Sequence, residues 1–237
     1  MRSYVRLIAA CLAGMAVLTL TAATLQEEEM ARQSGLMKYV APEFPFMAEG
    51  QGIVAGLTTV AVAWEADGAP SDVVVLRTND DAFGVAAREA VMQWRRAPRP
   101  GGREVVMYEI RFLKTGVIVS RTNSVSSRRA VEMAENAEPL RLPLSTQLDA
   151  PLRAIAQPMP VFPVSARGRW DEARVVVEFY IDETGRVRAP TVQESTAPEF
   201  EAETLNALRH WQYEVPRKNG QPTIVTERWA FDFRRSG

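Results

Sequence analysis

Residues 200–211, Phe-Glu-Ala-Glu-Thr-Leu-Asn-Ala-Leu-Arg-His-Trp, and residues 83–94, Phe-Gly-Val-Ala-Ala-Arg-Glu-Ala-Val-Met-Gln-Trp, read as two versions of one helix. Phe200, Thr204, Ala207, Leu208 and Trp211 fall at spacings 0, 4, 7, 8 and 11, and Phe83, Ala87, Ala90, Val91 and Trp94 fall at the same spacings. That series lies on one side of a 3.6-residue helix, so both stretches predict the same buried face. The offset of 117 also relates Gly68 to Gly185, and at an offset of 118 Pro42-Glu43-Phe44-Pro45 with Ala48 matches Pro160-Val161-Phe162-Pro163 with Ala166. A single-residue gap reconciles the two offsets, and the body of the chain is one unit written twice.

Upstream of the later helix, Val175, Val177, Phe179 and Ile181 alternate with Val176, Glu178, Tyr180 and Asp182; Val60, Val62 and Trp64 keep the same register in the first copy. Period two predicts a strand with one face covered. Asp67-Gly68 and Asp182-Glu183-Thr184-Gly185 are hairpin signals, because glycine accepts the positive φ that such turns require. Pro190 interrupts the next strand of the second copy and belongs on a sheet edge, since it has no N–H to give to a ladder. The last strands are expected at 105–112 and 223–233, with Val106, Tyr108, Ile110 and Phe112 facing one way in the first and Val225, Trp229, Phe231 and Phe233 in the second. Each copy is then a short helical turn, two strands, a helix and a last strand. The expected fold class is α+β, with two tandem units that each have a three-stranded antiparallel sheet covered on one face by helix. The units span 40–115, the more divergent copy, and 158–235. A linker over 116–157 joins them, with a helix expected at 128–137.

Arg2 and Arg6 precede an uncharged stretch over residues 7–25, and Glu27, Glu28 and Glu29 follow it, the charge order of a segment sent across a bacterial inner membrane. Residues 1–23 are therefore a signal peptide or a membrane anchor, and the body belongs outside the cytoplasm. Thr21-Ala22-Ala23 offers small residues where a signal peptidase reads, which favours cleavage after Ala23; nineteen uncharged residues, about 28 Å of helix at ~1.5 Å each, are also enough to span. Lys plus Arg number 28 and Asp plus Glu 29, so the net charge of −1 gives no general field for a nucleic acid. One cysteine, Cys11, and one histidine, His210, exclude a disulfide framework and a Cys/His zinc site, and no nucleophile with its base is recognisable. No catalytic, cofactor or metal residues are assigned, and the chain is not expected to be an enzyme.

The second copy carries a family pattern. Pro160-Val161-Phe162-Pro163 with Ala166, Asp182 to Gly185, Val192 with Ser195, Phe200 to Trp211 followed by Tyr213, Pro216, Gly220 with Pro222 and a closing Phe231-Asp232-Phe233 together resemble the C-terminal domain of TonB energy transducers. The first copy is similar in outline but lacks the serine. The resemblance implies a periplasmic protein of TonB-dependent transport that grips a peptide segment of an outer-membrane receptor by strand addition to its last strand. The implied edge is Thr223, Ile224, Val225, Thr226, Glu227, Arg228, Trp229 and Ala230, with residues 105–111 as a second candidate in the first copy. An edge strand has unpaired backbone groups, so an extended peptide can pair with it and make few demands on side chains. The resemblance also implies an inner-membrane proton-driven motor as partner, yet residues 7–25 contain only Thr19, Thr21 and Thr24 as polar candidates and lack the family's anchor histidine. Residues 25–39 reach at most ~50 Å. The alternative is a soluble periplasmic binding or scaffold protein that keeps the fold without energy transduction.

Three further clusters have plain readings. Arg95, Arg96, Arg99 and Arg103 read as a solvated loop whose cations favour a helix C-terminus. Glu199, Glu201 and Glu203 complement a helix N-terminus. His210, with no partner ligands in the pattern, reads as a surface or capping histidine.

Overall fold

A computed structural model describes residues 35–99, 103–113, 116–122 and 142–235. Residues 1–34, which hold the targeting segment, and the helix expected at 128–137 lie outside the described residues. In the first repeat, helix α1 (Phe46–Gly50) leads to strands β1 (Ala55–Trp64) and β2 (Pro70–Thr78), helix α2 (Asp81–Val91), and strands β3 (Glu104–Leu113) and β4 (Gly116–Thr122). The second repeat has a 3₁₀ turn, Val164–Ala166, where the first has α1, then β6 (Glu172–Ile181), β7 (Val187–Ser195), α3 (Glu201–Leu208) and β11 (Val225–Arg234). Short pairs β5 (Ala154–Ala156) with β8 (Gln212–Tyr213), and β9 (Arg217–Lys218) with β10 (Gln221–Pro222), flank it. The sheets run β2-β1-β3-β4 and β7-β6-β11, all antiparallel. The shared order of the first three strands is the expected α+β unit, twice. The fourth strand is a correction: residues 116–122, assigned to the linker, pair antiparallel with β3, from Leu113 with Gly116 to Met107 with Thr122.

The two cores are built from equivalent contacts. Phe83 and Trp94 are fully buried, as are Phe200 and, at 2% exposed, Trp211. Phe44 meets Phe83 edge-on at 5.3 Å and Phe162 meets Phe200 edge-on at 5.0 Å; Phe83 tilts against Phe112 at 4.9 Å and Phe200 against Phe233 at 4.7 Å. The indole N–H of Trp94 donates to the Val40 carbonyl at 2.8 Å, and that of Trp211 donates to the Pro158 carbonyl at 2.9 Å. Each Trp therefore fills the core and also fastens the lead-in segment of its repeat to the helix end. The hairpin glycines repeat as well. Gly68 has φ +84° and Gly185 φ +79°, and a Cβ on either would stand about 2 Å from a backbone oxygen, that of Arg96 or of Tyr213. Those residues return the contact, with Arg96 N–H donating to the Gly68 carbonyl and Tyr213 N–H to the Gly185 carbonyl.

The uncovered faces of the two sheets pack on each other. Ala61 and Ala63 of β1 and Val74 and Leu76 of β2 meet Ala189 of β7 and Ile224 in one apolar cluster. The expected one-faced strand is thus wrong for β1, which is buried on both faces from Thr58 to Trp64. Beside the apolar patch, Asp72 of the first repeat takes Arg188 of the second in a two-pronged pair, Nε–Oδ2 at 3.0 Å, and also accepts from the Ala189 N–H at 3.0 Å. Arg188 reaches on to Asp182 at 3.1 Å. The bend that brings Ala189 N–H to Asp72 has φ +46° at Ala189, next to Pro190 on the edge strand β7, where a missing N–H costs the ladder nothing.

Asp182 opens the second hairpin. Burial works against its charge, but the Thr184 hydroxyl at 2.6 Å, the N–H groups of Arg186 and Thr184, and Arg188 outweigh burial and hold the carboxyl below its ordinary range. A folded pKa below the unfolded one adds stability that is complete above the ordinary aspartate value, about 3.9, and is lost as pH falls through the lowered value. Urea unfolding from about pH 5 down to about pH 2 is therefore expected to show a shallower loss of stability for Asp182→Asn than for the parent. Equal slopes would show that this carboxylate is not linked to folding.

Candidate functional site: the edge of the last strand

β11 pairs with β6 along its whole length and has no named strand on its other side among the described residues. It is built as a two-faced ribbon. Val225, Phe231 and Phe233 point under the helix layer and are buried, while Arg228, Asp232 and Arg234 are exposed on the other face. Of the eight edge residues expected from the sequence, Thr223 lies before the strand, where its N–H donates to the Pro216 carbonyl at 2.9 Å. Ile224 is turned into the junction with the first repeat and Val225 into the core. Thr226 is half-buried, in an isolated parallel bridge with Leu144. Glu227, Arg228, Trp229 and Ala230 lie on the strand, and Arg228 pairs with Glu194 at 2.5 Å across the exposed face.

Trp229 departs from its surroundings. It lies edge-on to Trp211 at 5.4 Å and is still 41% exposed. Its counterpart in the first repeat is Tyr108, which lies edge-on to Trp94 at the same 5.4 Å and is 2% exposed. The difference is the fourth strand. β4 pairs Tyr108 with Arg121, Ile110 with Val119 and Phe112 with Val117, and Val119, 3% exposed, joins the cluster that contains Tyr108. On the side away from β6, nothing among the described residues pairs with the equivalent stretch, residues 228–234, so the aromatic beside it is left half open. The second candidate edge, residues 105–111, is corrected accordingly: from Met107 onward it is occupied by the chain's own β4.

The arginine cluster also differs from its expected solvated loop. Arg95 does cap the helix end, donating to the Trp94 carbonyl at 2.6 Å. Arg96 is 8% exposed, stacked 5.3 Å over the Trp64 ring and paired with Glu104, which Arg99 and Arg121 also approach. Arg103 pairs with Glu65. Arg96 and Arg103 are thus committed to partly exposed carboxylates, and Arg96 also to an aromatic face, while Arg99 stays mostly exposed as expected. His210 contacts the Asn206 carbonyl at 2.9 Å at the helix end, and Glu199 pairs with Arg169 at 3.0 Å. No group of three or more metal-ligating side chains exists among the described residues, nor any helix long and apolar enough to cross a membrane.

Fold and edge together define a tandem of two-layer α+β units, one closed by its own fourth strand and the other without one among the described residues. The family described as Gram-negative bacterial TonB protein C-terminal matches residues 40–113 and again residues 158–234, and the chain belongs to that family. Among solved structures, the solution NMR structure of the Pseudomonas aeruginosa TonB CTD is 30% identical, with a TM-score of 0.33, covering 38% of this chain and 91% of that one. The TonB2 protein from Vibrio anguillarum is 23% identical, with a TM-score of 0.29, covering 43% of this chain and 96% of that one. No curated protein matches. The family serves TonB-dependent transport, and its members are periplasmic or anchored in the inner membrane.

Proposed function

We propose that the chain is a periplasmic TonB-type protein whose second repeat takes an extended segment of an outer-membrane receptor as an added strand along β11. The observation that carries this reading is the contrast between Tyr108, sealed under β4, and Trp229, half exposed beside an outer edge that no strand among the described residues pairs. A bare edge supplies a row of backbone donors and acceptors, and an adjacent aromatic supplies apolar area to one face of the incoming strand. The first repeat is self-complemented at the same place, so one receptor segment per chain is expected. Unit 1 then holds unit 2 through the Asp72–Arg188 pair and the apolar junction. Either signal cleavage after Ala23 or retention of residues 7–25 as an anchor is compatible with this role; motor coupling goes with the anchored form.

The test is a titration of the full chain with synthetic peptides from receptor N-terminal segments, read by backbone amide shifts. The expected result is one site per chain, with the largest shifts on β11 and at the Trp229 indole. Shifts confined to β4, or none at all, would overturn the reading.

A further inference from the structure

The stretch between the repeats is attached to the second one before that repeat begins. Leu142 packs into the junction cluster, and Leu148 and Leu152 pack against the second core. The Asp149 carboxylate accepts from the N–H groups of Asn219 at 2.8 Å and Gly220 at 2.7 Å, and its own N–H donates to the Arg217 carbonyl at 2.9 Å. Between these anchors Leu144 meets Thr226 on the outer side of β11 in a single parallel bridge. The chain then turns beside β11 without pairing further, in the 3₁₀ turn Ser145–Gln147, where the Leu144 N–H donates to Gln147 Oε1 at 3.0 Å and the Gln147 N–H to the Leu144 carbonyl at 2.8 Å. The segment makes a single backbone bridge to the edge, at Leu144, and is pinned on both sides of it.

The position of the contact fits the first repeat. There β4, 7 residues long, pairs only with Met107 to Leu113 and leaves the beginning of β3 alone. The aromatic matches Tyr108 to Trp229 and Phe112 to Phe233 carry that stretch onto residues 228–234, with Thr226 just outside it. We infer that Leu144 is a positioning residue, a fixed stop that closes the edge of β11 at Thr226 and confines an added strand to residues 228–234. This rests on the strand-addition reading and adds to it the register and length of the partner: an extended segment of about the length of β4. Extra residues at the Thr226 end find the edge already taken. Pinning on both sides explains why the contact persists although the Leu144 side chain is 60% exposed.

The experiment uses the full chain and a nested series of receptor N-terminal peptides that are shorter than, equal to and longer than seven residues. The parent is expected to gain affinity up to the length of the slot and then level off, with amide-exchange protection confined to residues 228–234. In a Leu144→Gly, Asp149→Ala variant, the longer peptides are expected to bind about tenfold more tightly, from two or so newly available main-chain hydrogen bonds, and to protect Thr226 as well. Protection at Thr226 in the parent, with affinity still rising past the slot length, would overturn the stop while leaving strand addition intact. No gain in a variant whose β6 amides remain protected would also overturn it. If no peptide protects any β11 amide, strand addition itself fails and the stop fails with it. The parent's length series stands by itself should the variant not fold.

Discussion

Trp211→Ala in the full chain is expected to lose about 3–5 kcal/mol of stability, among the largest effects a single core substitution produces. The ring touches Phe179, Tyr213, Trp229 and Phe231, so truncation opens a cavity bounded by aromatics that cannot collapse into it together. It also removes the indole donor that holds the Pro158 carbonyl, leaving the lead-in segment of the second repeat without its tie to the helix. Urea unfolding followed by far-UV circular dichroism measures the loss. Because the two sheets share one apolar cluster and the Asp72–Arg188 pair, the parent should unfold in one transition, and Trp94→Ala should shift that same transition. Two separated transitions, with Trp211→Ala moving one alone, would show that the junction does not couple the repeats.

The repeat made much of the fold legible. Phe83 with Trp94 and Phe200 with Trp211 announced two equal cores, and the glycines at 68 and 185 marked two equal hairpins, because those contacts are local enough to leave a periodic trace. Two features left weaker traces. β4 falls in the stretch assigned to the linker, where Val117-Ile118-Val119 is a run of only three apolar residues ahead of the Ser/Asn-rich residues 120–127, too short and unalternating to mark a strand. The junction leaves one trace: Val60-Ala-Val-Ala-Trp64 has no polar member, and an uninterrupted apolar run is the signature of a strand covered on both faces. Asp72 and Arg188 carry no local signal at all, since their pairing depends on how the repeats dock. At the edge itself, eight residues were assigned from the resemblance. Among the described residues they divide into Thr223 before the strand, Ile224 and Val225 turned inward, Thr226 bridged to Leu144, and a remainder with no outer partner that runs on to Arg234.

Proline on β11 should separate binding from folding. Along an antiparallel strand the N–H groups alternate between the two neighbours, so of Glu227 and Arg228 one donates toward β6 and the other points outward. Proline at the inward position breaks the ladder and is expected to unfold the repeat; at the outward position it removes a donor that only an added strand would use. The outward variant is therefore expected to keep the amide protection of β6 and lose at least about tenfold in affinity for receptor peptides, since the donor is lost and the ring obstructs the approaching strand. Glu227→Ala and Arg228→Ala, which keep the backbone, should bind within about twofold of the parent, as surface substitutions away from a buried contact do. That ordering distinguishes main-chain recognition from recognition by charge, in which losing the Arg228 guanidinium, now paired with Glu194, would matter more than losing an N–H. A folded outward proline variant that binds as the parent does would place the receptor segment somewhere other than this edge.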